Sequence, residues 1–142
     1  MKMKIFVYGT LREGQYNYDK YLKGCVIEKE EAYVKGSLHT IQGVVYPALV
    51  DGEDMILGEI LTLNDQVCMQ DVDDMEGYHG DGCIDNEYDK VDCMIYDKNA
   101  QPLMKLPVYK YNLRNPKQVA LLGEKIQEND YVAYRKKVEA LV

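Results

Sequence analysis

The sequence predicts an α+β fold, and three observations carry that prediction. Strand patterns fill the middle of the chain, at 55–63, 88–96 and 103–111. Helix signals fall between and after them at irregular intervals, and no strand–helix unit repeats, which argues against a parallel βαβ architecture. A length of 142 residues, without linker, internal repeat or low-complexity stretch, fits a single domain over 1–142 with one substantial core.

Taken in order, residues 4–8 (Lys4-Ile5-Phe6-Val7-Tyr8) read as a short buried strand. Asn17 is expected to cap a short helix through Leu22, with Gly24 as its stop. Residues 26–36 carry a strand pattern interrupted by Glu28-Lys29-Glu30-Glu31, and 43–49 form a second candidate containing Tyr46-Pro47. The strand over 55–63 is followed by Asn64, read as the cap of a helix to Met75. Val67, Met69, Val72 and Met75 face inward on that helix and Gly77 ends it.

Asp97-Lys98-Asn99 supply turn residues between the next two strands, predicting a hairpin, and Pro107 places the second of these at an edge. Asn115-Pro116 is a cap with proline at the first helical position, after which Val119, Leu122 and Ile126 share a helical face. A last helix follows Asn129-Asp130, with Tyr131, Tyr134, Val138 and Leu141 on one stripe.

Composition narrows the function classes. The net charge of −7 repels phosphate backbones and anionic lipid heads, so neither nucleic acid nor a membrane surface is an expected partner. No apolar run reaches bilayer length. Met1-Lys2-Met3-Lys4 is basic but precedes too few apolar residues for a signal peptide, so a cytoplasmic protein is expected. Cys25, Cys68, Cys83 and Cys93 lack C-x-x-C or histidine-rich spacing, which predicts reduced thiols and no zinc site. His39 reads as a strand residue and His79 as exposed loop. The 13 tyrosines suit strands and half-buried surfaces.

Two stretches concentrate chemistry. Tyr8-Gly9-Thr10-Leu11-Arg12-Glu13-Gly14 has the glycine spacing of a P-loop, but Gln15-Tyr16 stand where Lys and Ser/Thr are needed. What remains is either a tight turn that needs glycine for positive φ, or a concavity of backbone N–H groups able to hold an anion other than phosphate. Asp71-Val72-Asp73-Asp74-Met75-Glu76-Gly77-Tyr78 is acidic but fails as a calcium loop, with Glu76 at the glycine position and Gly82 at the final glutamate. Asp71, Asp73 and Asp74 read as a solvated helix end. Glu76 is either part of that end or a carboxylate at the core's rim, where desolvation raises its pKa toward acid–base use.

Together these stretches resemble the gamma-glutamylcyclotransferase-like family, which includes the gamma-glutamylamine cyclotransferases and the plant avirulence-induced-gene-like proteins. The resemblance runs in order through Tyr8 to Gly14, Gly36, Tyr46-Pro47-Ala48-Leu49, Gly58-Glu59-Ile60, Val72 to Tyr78, Tyr88-Asp89-Lys90-Val91 and Val108-Tyr109. It implies a small mixed β-barrel with flanking helices and no metal or organic cofactor. It also implies an enzyme that cyclises the γ-glutamyl group of a small-molecule substrate to 5-oxoproline, releasing the attached amine. Glu76 becomes the general acid/base; Tyr8, Gly9, Thr10 and Leu11 hold the glutamyl end, at its α-carboxylate or its oxyanion; Tyr109 orients the substrate. A non-catalytic small-molecule binding protein of the same fold is the alternative. Two departures stand out: Asn129-Asp130-Tyr131 replaces a Gly-Asp-Trp, and the acidic segment over 80–87, longer than expected, reads as a lid or a specificity loop.

Overall fold

Strand β1 (Met3–Val7) has no polar face beyond its first two residues. Ile5 and Val7 pack into one apolar cluster and Phe6 into another, so the strand is covered on both sides, as its unbroken apolar run requires. The computed structural model describes residues 3–141; Met1 and Lys2 of the basic start, and Val142, lie outside it.

The rest of the sheet is built on two 16-residue strands, β2 (Val26–Ile41) and β3 (Ala48–Leu63), paired antiparallel. β1 adds to β3 with Val7 opposite Glu59 and Met3 opposite Leu63. β4 (Tyr88–Tyr96) and β5 (Pro102–Tyr111) form the predicted hairpin, closed by Asp97, whose carboxylate accepts from the Asn99 and Gln101 amides. The order is β1-β3-β2-β4-β5, with the short β6 (Leu122–Lys125) also on β2. Every pairing is antiparallel. The edges β1 and β5 approach each other, and the buried Tyr8 hydroxyl donates to the Tyr109 carbonyl at 2.5 Å. The expected small barrel is thus an open one, curled without a closing ladder. Pro107 sits on edge strand β5, where its missing N–H costs no pairing.

Helices flank this sheet. α1 (Met69–Met75) buries Val72 against the first cluster. α2 (Pro116–Leu121) starts at Asn115, whose side chain accepts from the Lys117 amide. α3 (Tyr131–Ala140) starts at Asp130, which accepts from the Val132 and Ala133 amides, and buries Tyr131 in the second cluster. Leu141, at the end of its predicted stripe, is exposed.

Several expectations are corrected. Glu28 to Glu31 do not interrupt a strand; they are solvent-facing members of β2, paired opposite 59–62 of β3. The candidates at 43–49 and 55–63 are not two strands: β3 begins at Ala48 and runs through both, while 42–47 connect. Residues 18–22 form a single π-helical turn, and Asn17 does not cap it. Asn64 makes a turn, accepting from the Gln66 amide, and α1 starts only at Met69. The helix face expected through Ile126 stops at Leu121, where the chain turns extended to pair with β2.

Gly58 fixes how closely β1 lies on β3. A Cβ there would come within 2.3 Å of the Val7 carbonyl oxygen and 2.4 Å of the Phe6 ring. Gly58→Ala must therefore push β1 and Phe6 away from a packed core, at about 1–3 kcal/mol. A fall in melting temperature of at least about 5 °C is expected in calorimetry. An unchanged melting temperature would mean that β1 shifts freely.

Candidate active site

The turn after β1 is seated by Arg12. Its guanidinium is buried, with Nη1 2.7 Å from Asp130 Oδ1 and Nε 3.8 Å from Glu59 Oε2. Glu59 also accepts from the Glu13 amide at 3.0 Å. The Arg12 amide closes the turn on the Gly9 carbonyl at 3.0 Å. The amides of Gly9, Thr10 and Leu11 meet no backbone or side-chain acceptor among the described residues. Gly14, at φ +89°, supplies the left-handed residue. Gly9 has no positive φ; it is glycine because a Cβ there would crowd the Pro47 ring at 3.1 Å.

Asn17 joins this turn to the end of α1. Its amide donates to Thr10 Oγ1 at 2.9 Å and lies 3.4 Å from the Met75 sulfur. Glu76 follows, its N–H on the Val72 carbonyl. Gly77, at φ +68°, then reverses the chain, and the Glu87 amide donates back to the Gly77 carbonyl at 3.0 Å. A Cβ on Gly77 would lie 2.9 Å from the Glu87 Cβ, so this glycine lets two glutamates eleven positions apart share one wall.

The result is a cavity of about 250 Å³. Tyr8, Gly9, Leu11, Glu76 and Tyr109 line it together; Thr10 does not, being buried under the turn with its hydroxyl taken by Asn17. Residues to which the sequence gave no site role complete it: Glu87 and Tyr46, whose hydroxyl donates to Glu87 Oε1 at 2.7 Å, with Tyr16 and Lys20 toward solvent. Only the acidic loop at 80–87 signalled Glu87. That loop is pinned. Asn86 is fully buried, accepts from the His79 amide and donates to the Gly80 carbonyl, and its own carbonyl accepts from Asn112 and Asn115. Its geometry is that of a fixed wall.

Electrostatics single out Glu76. Burial first, then the Glu87 and Asp73 carboxylates, raise its pKa from 4.5 to about 8, and no hydrogen bond offsets them. Burial also pushes the Tyr8 and Tyr88 phenols up, and both are spent as donors, Tyr88 to the Pro47 carbonyl at 2.5 Å. Tyr109 donates to Asp73 Oδ1 at 2.5 Å, and Lys90 pairs with the same carboxylate at 3.1 Å. Asp73 is therefore no solvated helix-end residue: it is half-buried and doubly held, while Asp71 and Asp74 are exposed as expected. Neither histidine enters the cavity: His39 lies in β2 and His79 is exposed. Among the described residues, no cluster of His, Cys, Asp or Glu is placed to hold a metal ion, and no helix is long and apolar enough to cross a membrane.

Comparison with known proteins adds to this geometry. The family described as gamma-glutamyl cyclotransferase, AIG2-like, matches residues 5–133. A gamma-L-glutamyl-butirosin B gamma-glutamyl cyclotransferase of Niallia circulans is 32% identical over 99 residues, covering 70% of this chain and 62% of that protein, less than two thirds of its length. An uncharacterized protein of Pyrococcus horikoshii shares the fold with a TM-score of 0.65 at 21% identity, over 97% of both chains. An AIG2-like protein of Mus musculus does so with a TM-score of 0.62 at 20% identity, over 87% of this chain and 86% of that one.

The Glu76 shift has a consequence for stability. Its folded pKa of about 8 lies above its ordinary 4.5, so the folded protein holds the proton more tightly than the unfolded chain. Ionised Glu76 then opposes folding increasingly as pH rises from 4.5 to about 8, and by a constant amount above that. Glu76→Gln is expected to match wild type in urea denaturation near pH 4 and to exceed it by about 4 kcal/mol near pH 8. Equal stability at both pH values would contradict the shift.

Proposed function

The chain belongs to the gamma-glutamyl cyclotransferase, AIG2-like family, and from that premise we infer that it cyclises a γ-glutamyl group to 5-oxoproline and releases the attached amine. The observation that carries this reading is Glu76, a carboxylate with a pKa near 8 on the wall of a cavity also lined by Gly9 and Leu11, whose amides have no partner among the described residues.

The substrate's own α-amine is the nucleophile, so no Ser or Cys is needed. That amine, with a pKa of about 8, arrives largely as ammonium. Ionised Glu76 takes one proton, and the matched pKa values make the transfer nearly isoenergetic. The nitrogen lone pair then attacks the γ-carbonyl carbon, a C–N bond forms, and the carbonyl oxygen gains negative charge. Protonated Glu76 delivers that proton to the departing nitrogen, the original C–N bond breaks, and the carbonyl re-forms. Glu76, ionised again, takes the second proton from the new ring nitrogen and passes it to the released amine, so 5-oxoproline with a neutral lactam and an ammonium leave and Glu76 returns to its starting form.

The chain's other groups position the substrate. The amides of Gly9, Thr10 and Leu11 suit an anionic oxygen, and Lys20 near them adds a positive charge at the rim. Tyr109 has its proton committed to Asp73, which leaves its oxygen as an acceptor for the α-ammonium. Tyr8 supplies ring surface, its hydroxyl being held by Tyr109. Seating both ends of the glutamyl chain brings amine and carbonyl together, the proximity effect that ring closure needs.

The test is 5-oxoproline release from a panel of γ-glutamyl amino acids and γ-glutamyl amines, with Glu76→Gln beside wild type. Wild type should turn over at least one member and the variant should lose at least about 10³-fold, since an amide carries no transferable proton. Normal turnover by the variant sinks the mechanism. Absence of turnover with retained 5-oxoproline binding would indicate a binding protein of this fold.

The pH profile follows from the proton count. The productive complex holds one proton between Glu76 and the amine. kcat/KM should rise about tenfold per pH unit below 8 and fall once both groups have lost their protons. A profile flat from pH 6 to 9 would exclude Glu76 as the proton carrier.

A further inference from the structure

The mechanism uses one carboxylate, yet the cavity wall presents two. We propose that Glu87 is a specificity-determining residue that receives a second positive charge on the leaving amine, making the preferred substrate a γ-glutamyl amide of a diamine or polyamine; this rests on the cyclotransferase reading.

The cavity is electrically polarised along the chain. One segment, 9–20, brings the free turn amides and Lys20, which suit anionic oxygen. The other, 76–87, brings two carboxylates, which suit ammonium groups. The α-ammonium must reach Glu76 to give up its proton, so Glu87 is left for another part of the substrate. The glutamyl skeleton has no second cation, and its α-carboxylate would be repelled. Only the leaving amine remains.

Glu87 is built for a fixed receiving role. Its amide is tied to Gly77, and Tyr46 donates to Oε1 at 2.7 Å, holding the carboxylate in place with other lone pairs open. No Lys or Arg pairs with it among the described residues. Tyr46 and Tyr88, with ring centroids 6.3 Å apart, give an aromatic surface that favours an alkylammonium chain. The buried Asn86 fixes the loop that delivers Glu87.

The experiment compares kcat/KM for two isosteric conjugates, γ-glutamyl-1,4-diaminobutane and γ-glutamyl-pentylamine, in wild type and Glu87→Gln. Because the readout is a ratio within each protein, partial loss of folded enzyme cancels. Wild type should prefer the charged conjugate by at least about tenfold, the scale of one charge-assisted hydrogen bond. The variant, whose amide oxygen still accepts from Tyr46, should fall within about twofold of equality. A wild-type ratio near one, or a preference that survives in Glu87→Gln, overturns the proposal. Should neither conjugate turn over while a γ-glutamyl amino acid does, the proposal is overturned; should nothing in the panel turn over, the cyclotransferase reading is what has failed. Calorimetry with free 1,4-diaminobutane and pentylamine then decides the subsite on its own. Tighter diamine binding that the variant loses supports it, and equal binding overturns it.

Discussion

A guanidinium in the interior is the constraint on which the rest of this protein depends. Arg12 lies beneath the turn that follows β1, and its Nε finds no hydrogen-bond partner. A buried charge left alone is costly by several kcal/mol, so the fold must bring anions to it. It does so from distant places: Glu59 from the middle of β3 and Asp130 from the start of α3. The same Asp130 oxygen also caps α3, accepting from the Val132 and Ala133 amides. Turn, central strand and last helix are thereby locked to one point. The turn that brings Gly9 and Leu11 to the cavity wall is thus set by packing, before any ligand arrives.

The cavity shows the reverse of that satisfaction. Around Arg12 nearly every polar group has a partner, whereas Glu76 has none and is faced by two further carboxylates. A rise from 4.5 to about 8 corresponds to a few kcal/mol held against the ionised form. A fold selected for stability alone would place glutamine or methionine there. The strain is useful only toward a ligand that brings a proton of matching affinity, which an α-ammonium does.

How much of this was legible in the sequence depended on whether the information was local. The hairpin of β4 and β5 was, because the Asp97 carboxylate closes the turn on amides within five residues. So was the Asn115 cap, which acts over two residues. The π turn was not: Asn17 has the residue type of a cap, but its amide is drawn away to Thr10 and Met75, which only the tertiary fold brings near. The run Glu28 to Glu31 looked like a break because a strand edge facing water carries no apolar alternation; pairing with β3 supplies the order that periodicity could not. Leu122 to Lys125 kept a helical spacing by chance and were claimed by β2. In the site, Gly9 and Glu76 could be read from motifs. Glu87 could not, because its position depends on Gly77 lacking a side chain and on Asn86 being buried.

The two glutamates are also coupled, and this links recognition to chemistry. Desolvation is the main reason that Glu76 holds its proton, but the charge of Glu87 is the next. A cation seated on Glu87 would cancel that repulsion and ease ionisation of Glu76, producing more of the base form only when a charged leaving amine is bound. The desolvation part would stay, since the same ligand excludes water from the cavity. Recognition of the leaving amine would then lower KM and raise kcat together rather than act on binding alone. A neutral leaving amine would gain neither, although it meets the same turn, the same Tyr109 and the same Glu76. On the proposed reading, substrate selectivity would reside in the loop that ends at Glu87, while the Arg12-anchored frame and the α1 terminus would be common to every γ-glutamyl substrate.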